Sequence, residues 1–179
     1  MRNDAIRAEL ARYNAAAHLT DDERATYFGL PEGCRIRPNA KIISPDKFRC
    51  GEFVWIGEGA ILDASGGLEI GAHTSIGLNT MIWSHSSHLC NLLMQNEIGS
   101  KFIYRKPTKV GSGCAINGPS VILPGVSIGD RVVLLPMSVV ARDLPSNCVA
   151  GGNPARMIES ITEEYLAREM AKISPSNTP

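Results

Sequence analysis

Charge of one sign, aromatic rings and paired cysteines are all scarce in this sequence. The 18 Lys and Arg residues balance 18 Asp and Glu, so the 179-residue chain has a formal net charge of +0. That excludes a polybasic nucleic-acid binder and an acidic-tail protein. Aromatic residues make up only 6% while hydrophobic residues reach 44%, enough to exclude global disorder. The core must therefore be built from small aliphatic side chains. The five cysteines, Cys34, Cys50, Cys90, Cys114 and Cys148, include no CxxC pair. A disulfide framework or zinc ribbon needs closer, paired spacings, so the thiols read as reduced. The longest apolar run, Val132 to Ala141, is broken by Pro136 and Ser138 and is too short to cross a bilayer. The opening MRNDAIRAEL places charges where a signal peptide would need an apolar stretch. The expectation is one cytoplasmic domain with no nucleic-acid partner and no membrane insertion.

What the sequence does contain is a repeat. Stepping by six from Val110 lands on Ile116, Ile122, Ile128, Leu134 and Val140, each a branched aliphatic. Stepping back gives Ile82, Ile76 and Ile70, then, after a slip of two residues, Leu68, Leu62 and Ile56. Glycine follows the aliphatic at Gly57, Gly71, Gly77, Gly111 and Gly129. The fifth position of each hexad is small or aliphatic, as at Ala60, Thr74, Thr80, Cys114, Ser120, Val126, Val132 and Ser138. A helix cannot use this period, because its 3.6-residue turn rotates the sixth residue off the buried face. Short strands joined by tight corners can, and stacking them aligns identical aliphatic positions about 4.8 Å apart in a solenoid core.

The flanks read differently. Asp4 to Ala17 carries helix formers with Ile6, Leu10 and Tyr13 along one side. Thr20 with Glu23 is a capping box for a short helix that Gly29-Leu30-Pro31 stops. Ser160 with Glu163 reads as a second capping box, opening a helix through Tyr165, Leu166 and Met170 that closes the last coil. The terminal SPSNTP reads as a frayed tail.

The repeat residues resemble the hexapeptide-repeat acyltransferases over roughly residues 34–158. Three stretches carry the resemblance most closely: Val121 to Asp130, Ser138 to Pro145, and Gly152-Asn-Pro-Ala-Arg156. Together they look like the maltose and galactoside acetyltransferase branch. The resemblance implies an all-β solenoid, a left-handed parallel β-helix of three hexads or 18 residues per coil. With the flanks read above, the expected organisation is a helical segment over 1–33, the catalytic β-helix over 34–158, and a helix with tail over 159–179. The resemblance also implies a homotrimer with active sites between subunits.

The repeat breaks once, over residues 84–108. An excursion this long is functional or disordered, and Leu92, Leu93, Met94, Phe102 and Ile103 argue against disorder. In the resembled family it reaches toward the neighbouring subunit and walls the active site, and the family's Tyr-x-x-Pro reappears as Tyr104 to Pro107. His85 and His88 stand at its root. Imidazole suits a base that takes a proton from a hydroxyl or amine near pH 7. The resemblance puts the base at the last His before the loop departs, which is His88, with His85 second. Asp63, Trp83 and Tyr104 fall on the acceptor side. A zinc site is not expected: His85 and His88 are three apart, His73 lies 12 earlier on another face, and the pair five apart of the γ-class carbonic anhydrases is absent. Cys90 beside His88 reads as a small loop residue rather than a nucleophile. Ser84, Ser86 and Ser87 have no strand–turn–helix elbow around them.

For the donor the resemblance implies acetyl-CoA as co-substrate, with its pantetheine arm along the C-terminal coils. Positions matching the family's contacts are Gly118, Pro136, Ala141, Arg142 and Arg156. Small residues admit the arm, and the two arginines suit phosphates. Ala115 stands where the family carries Trp, and Pro136-Met137 where it carries Ala-Gly. The expected function is acetyl transfer from acetyl-CoA to a hydroxyl or amine of a sugar-containing acceptor, in a surface polysaccharide or nucleotide-sugar. The competing reading is a non-catalytic β-helix serving in assembly or binding.

Overall fold

Two- and three-residue strands joined by tight corners wind into a parallel β-solenoid of about six turns. The computed structural model describes residues 19–97 and 100–173. The helix read over Asp4 to Ala17 and the SPSNTP tail lie outside the described residues.

The repeated aliphatics form rungs on three faces. On the first, Ile36, Ile56, Ile76, Ile116, Leu134 and Ala150 stack in register. The second stacks Ile42, Leu62, Ile82, Ile122 and Val140. The third stacks Ile70 on Val110 and Ile128, with Phe48 beneath Leu68 and Thr108. Nearly all these side chains are fully buried. Each buried aliphatic contributes about 1.5–3 kcal/mol by leaving water, so the stacks are the main source of stability.

Coil length is not uniform. Ile36, Ile56 and Ile76 follow at intervals of 20 residues, whereas Ile116 and Leu134 are 18 apart. The cause is the third face, where the strand Leu68–Ile70 points both Leu68 and Ile70 inward and Phe48–Cys50, one coil below, pairs with it residue for residue. That extra inward residue is the slip of two in the sequence pattern. Glycine is required where successive coils come closest, as at Gly77 and at Gly118. Gly77 and Gly118 have ordinary φ, but a Cβ on Gly77 would lie 2.3 Å from Gly118 N, and one on Gly118 1.9 Å from Leu78 O. Stacked backbones leave no room there for any side chain.

The first described helix, α1 (Asp21–Tyr27), has the expected reciprocal cap, with Glu23 Oε2 accepting the Thr20 N–H at 2.8 Å. The helix α2 (His88–Leu92) sits in the excursion. The last, α3 (Glu163–Ala171), is capped by Thr162, whose Oγ1 accepts the Tyr165 N–H, and not by Ser160. Ser160 is consumed by the strand Ala155–Ser160, which pairs antiparallel with Cys148–Gly152. That returning strand covers the last coil. The helix buries no residue of its own and is tied back through a bidentate Arg168–Glu159 pair at 2.9 Å.

Candidate active site

The excursion leaves the second face after Met81–Ile82 and is pinned at its root by an antiparallel pair, His85–Ser86 against Tyr104–Arg105. The chain re-enters the solenoid at Thr108, whose Oγ1 donates to Trp83 O at 2.7 Å and accepts the Gly125 N–H at 3.0 Å. Lys106 N–H donates to Ser84 O at 3.0 Å. The root is thus tied to the solenoid although the excursion is long.

One coil earlier, the strand Ile61–Asp63 ends on Asp63, which has no exposed surface. Its Oδ1 accepts the Ser65 N–H at 3.0 Å. Its Oδ2 accepts the Ser84 N–H at 2.9 Å and the Ser84 hydroxyl at 3.2 Å, and lies 2.6 Å from His85 Nδ1. Burial alone would push this carboxyl up. The donors from Ser84, Ser65 and His85 outweigh it and hold the carboxyl at about 2, below its ordinary 3.8. Asp63 is therefore ionised at neutral pH and can only accept. The proton between the two groups sits on His85 Nδ1, which leaves Nε2 with the lone pair in the neutral ring. The Trp83 indole stands edge-on to this imidazole, centroids 6.1 Å apart at 81°, and Ser65 Oγ lies 3.0 Å from Nδ1.

His88 belongs to a different cluster. It is exposed at the start of α2, and its Nδ1 lies 2.8 Å from Ser86 Oγ. Tyr104 faces Ser86 across the ladder. The structure therefore joins Asp63, Trp83 and His85 in one group and Ser86, His88 and Tyr104 in another. Asp63 supports His85 from below and presents no surface to an acceptor. Ser65 and Ser84 hold this arrangement and are not evident as site residues in the sequence. The signal that marks them is the run Asp63-Ala-Ser-Gly-Gly67, in which Gly66 must be bare: a Cβ there would meet Ser84 O at 2.2 Å.

Of the five positions expected to meet the donor, four fall on two edges of the prism and the fifth, Arg156, on the returning strand. Gly118 and Pro136 occupy equivalent corners of successive coils, between the first and second faces. Ala141 and Arg142 follow the second-face strand Val139–Val140. Their edge is the one that carries Trp83 and then Leu123, linked by Trp83 N–H to Ile122 O and Leu123 N–H to Val140 O at 3.0 Å each. A line of corners thus runs from the Asp63–His85 pair toward Arg142. Arg156 lies exposed on the returning strand opposite Gly151. Cys90 is buried with Sγ 3.5 Å from Ser100 Oγ and packs the excursion. Among the described residues no three His, Cys, Asp or Glu side chains converge as a metal site.

No family model matches the chain, but individual proteins do. The putative colanic acid biosynthesis acetyltransferase WcaF of Escherichia coli (strain K12) is 34% identical over 128 residues, 72% of this chain and 66% of its own. The chain thus spans just under two thirds of that relative. A maltose O-acetyltransferase from Clostridium difficile 630 superposes with a TM-score of 0.68 at 26% identity, covering 86% of this chain and 84% of that one. The hexapeptide-repeat containing acetyltransferase VCA0836 from Vibrio cholerae O1 biovar eltor, complexed with acetyl coenzyme A, superposes with a TM-score of 0.58 at 26% identity, covering 89% of each.

Proposed function

The chain belongs to the hexapeptide-repeat acetyltransferases, left-handed β-helix proteins, and from that premise we propose that it moves an acetyl group from acetyl-CoA to a hydroxyl or amine of a sugar unit. The observation that carries the proposal is the buried, ionised Asp63 holding His85 Nδ1 at 2.6 Å, so that Nε2 is the free base. His85 therefore takes the role ahead of His88, whose exposed ring has no carboxylate partner among the described residues.

The reaction is direct. Nε2 of His85 takes the acceptor's proton as its oxygen or nitrogen attacks the thioester carbonyl. Asp63 fixes the ring and stabilises the imidazolium. A backbone N–H at the site stabilises the developing oxyanion, and the C–S bond breaks to release the CoA thiolate, which takes the proton back from the imidazolium. Gly118, Pro136 and Ala141 give the pantetheine arm close approach, while Arg142 and Arg156 pair with phosphates. With Gly118 and Pro136 on one edge of the prism and Ala141 and Arg142 on another, we place the site between subunits of a homotrimer. A purely structural subunit has no use for a desolvated carboxylate beneath an accessible imidazole.

WcaF is a putative colanic acid biosynthesis enzyme, which supports a surface-polysaccharide unit or its sugar precursor as acceptor. No described helix is long and apolar enough to cross a membrane, and we place the reaction in the cytoplasm. The test is thiol release from acetyl-CoA across a panel of sugars, glycosides, nucleotide-sugars and amino sugars. Acceptor-dependent release that disappears in His85→Ala is expected. No release with any acceptor would remove the proposal.

A further inference from the structure

Two cationic residues, Arg105 and Lys47, flank the Asp63–His85 pair, and the pair's carboxylate is already engaged. Arg105 is directly opposite His85 in the antiparallel ladder. Facing residues of such a pair project to the same side, so Arg105 extends on the side where His85 meets Asp63. It is exposed and has no hydrogen-bond or ion-pair partner among the described residues. From the other flank, Lys47 Nζ reaches Ser65 O at 3.3 Å, and Ser65 Oγ is the second neighbour of His85 Nδ1. Lys47 makes no ion pair among the described residues either. Both oxygens of Asp63 are taken by Ser65, Ser84 and His85, so Asp63 offers neither cation a salt bridge. The chain as a whole is neutral, so this concentration of positive charge is local.

Resting on the acetyl-transfer reading above, we infer that the acceptor carries an anionic group, a phosphate ester or a carboxylate, bound by Arg105 with Lys47 on the opposite side of the base. The guanidinium fork matches two oxygens of either group, and an anion between two unpaired cations relieves their repulsion. A neutral sugar would leave both charges without a counter-ion. Placed there, the anion anchors the sugar while a neighbouring hydroxyl or amine reaches His85 Nε2. The acceptor class is then a sugar phosphate, nucleotide-linked sugar or uronic acid.

The test uses three matched ligands, a neutral hexoside, its 6-phosphate and the corresponding uronate. Each is titrated calorimetrically into the CoA-loaded protein and separately assayed for thiol release from acetyl-CoA. Wild type should bind at least one anionic ligand roughly tenfold to a hundredfold more tightly than the neutral one, the range of a charge-assisted contact. The better of the two arms says whether phosphate or carboxylate is the natural group. Arg105→Gln should lose that preference while acetyl-CoA KM and the neutral ligand's affinity stay unchanged, and Lys47→Gln should reduce it. Equal binding of neutral and anionic ligands overturns the inference. So does an Arg105→Gln effect confined to acetyl-CoA. Thiol release with equal kcat/KM for all three ligands sinks the inference and leaves the acetyl-transfer reading standing. Selective anion binding without any thiol release sinks that reading and leaves the anion site.

Discussion

Asp63 Oδ2 and His85 Nδ1 lie 2.6 Å apart across 22 residues of sequence, and this contact decides which imidazole nitrogen can act. The carboxylate reaches His85 because its strand ends one coil below the root of the excursion. Ser84 closes the geometry from the same root by donating both its N–H and its hydroxyl to that oxygen. A ring held in one orientation and one tautomer costs no reorganisation when the acceptor arrives.

His85→Ala should lower kcat by at least about a hundredfold, the usual cost of losing a general base, with acetyl-CoA KM near wild type. Asp63→Asn should fall comparably, because the amide can donate to Nδ1 and so turn the lone pair away from the acceptor. His88→Ala should lose no more than roughly tenfold, less than a base contributes. Steady-state thiol release checks all three. An inactive His88→Ala beside an active His85→Ala would return the base to His88.

The same carboxylate gives a pH signature. Its folded value of about 2 lies below the ordinary 3.8. The stability it contributes is therefore complete above pH 3.8 and disappears as pH falls toward 2, about 2 kcal/mol in all. Urea unfolding should show Asp63→Asn less stable than wild type at pH 7, with the gap narrowing between about pH 4 and 2. A gap independent of pH would mean that the carboxylate's charge plays no part.

The stacks were legible in the sequence because a period of six repeats the same physical demand at Ile116, Ile122 and Ile128. Coil length was not, because Leu68 and Ile70 are both aliphatic and only the strand geometry shows that both point inward. The glycines were visible as a pattern, but their cause is contact between coils, which appears only once Gly77 and Gly118 are stacked. The Asp63–His85 pair needed the register of two coils. Family pattern favours the His next to the departing loop, and nothing local to residues 84–88 reveals the carboxylate beneath His85. The cap at Thr162 was hidden by the same kind of long-range fact, since Ser160 has the right chemistry but lies in a strand.

Thr80 is the one fully buried side-chain polar atom among the described residues without a hydrogen-bond partner. Ser120 and Ser138 face the same interior and each donates to a carbonyl, Asn117 O and Leu135 O at 2.6 Å. An unsatisfied buried hydroxyl costs about 1–3 kcal/mol. Thr80→Val, which keeps the shape and removes the hydroxyl, should stabilise the protein by about 1 kcal/mol in denaturant melts. A loss of stability would indicate a partner for Oγ1, such as an internal water.

Arg142 and Arg156 are exposed and make no ion pair among the described residues. If they meet the CoA phosphates, reversing either charge should raise acetyl-CoA KM roughly tenfold or more, as expected for a lost charge-assisted contact, and the effect should weaken at high salt. Stability should hold, since neither side chain packs in the core. Unchanged KM in both Arg142→Glu and Arg156→Glu would displace the donor track from this edge.

Apolar surface on the single chain argues for assembly. Leu92 and Met94 on the excursion are 75% and 89% exposed, and Met137 on the donor-side corner is 73% exposed. A monomer gains nothing by holding Leu92 and Met94 in water, whereas a neighbour's edge can cover them. Closed cyclic assembly is the usual outcome for such a heterologous contact, and the site proposed above needs two chains to bring both edges to one donor. Light scattering at micromolar concentration should give about three times the 19.3 kDa of one chain. Leu92→Asp with Met94→Asp should shift the protein toward monomer and abolish thiol release, while leaving the solenoid's circular dichroism intact because neither residue is in the core. A monomeric double variant with full activity would place the whole site within one subunit and remove the shared-site reading.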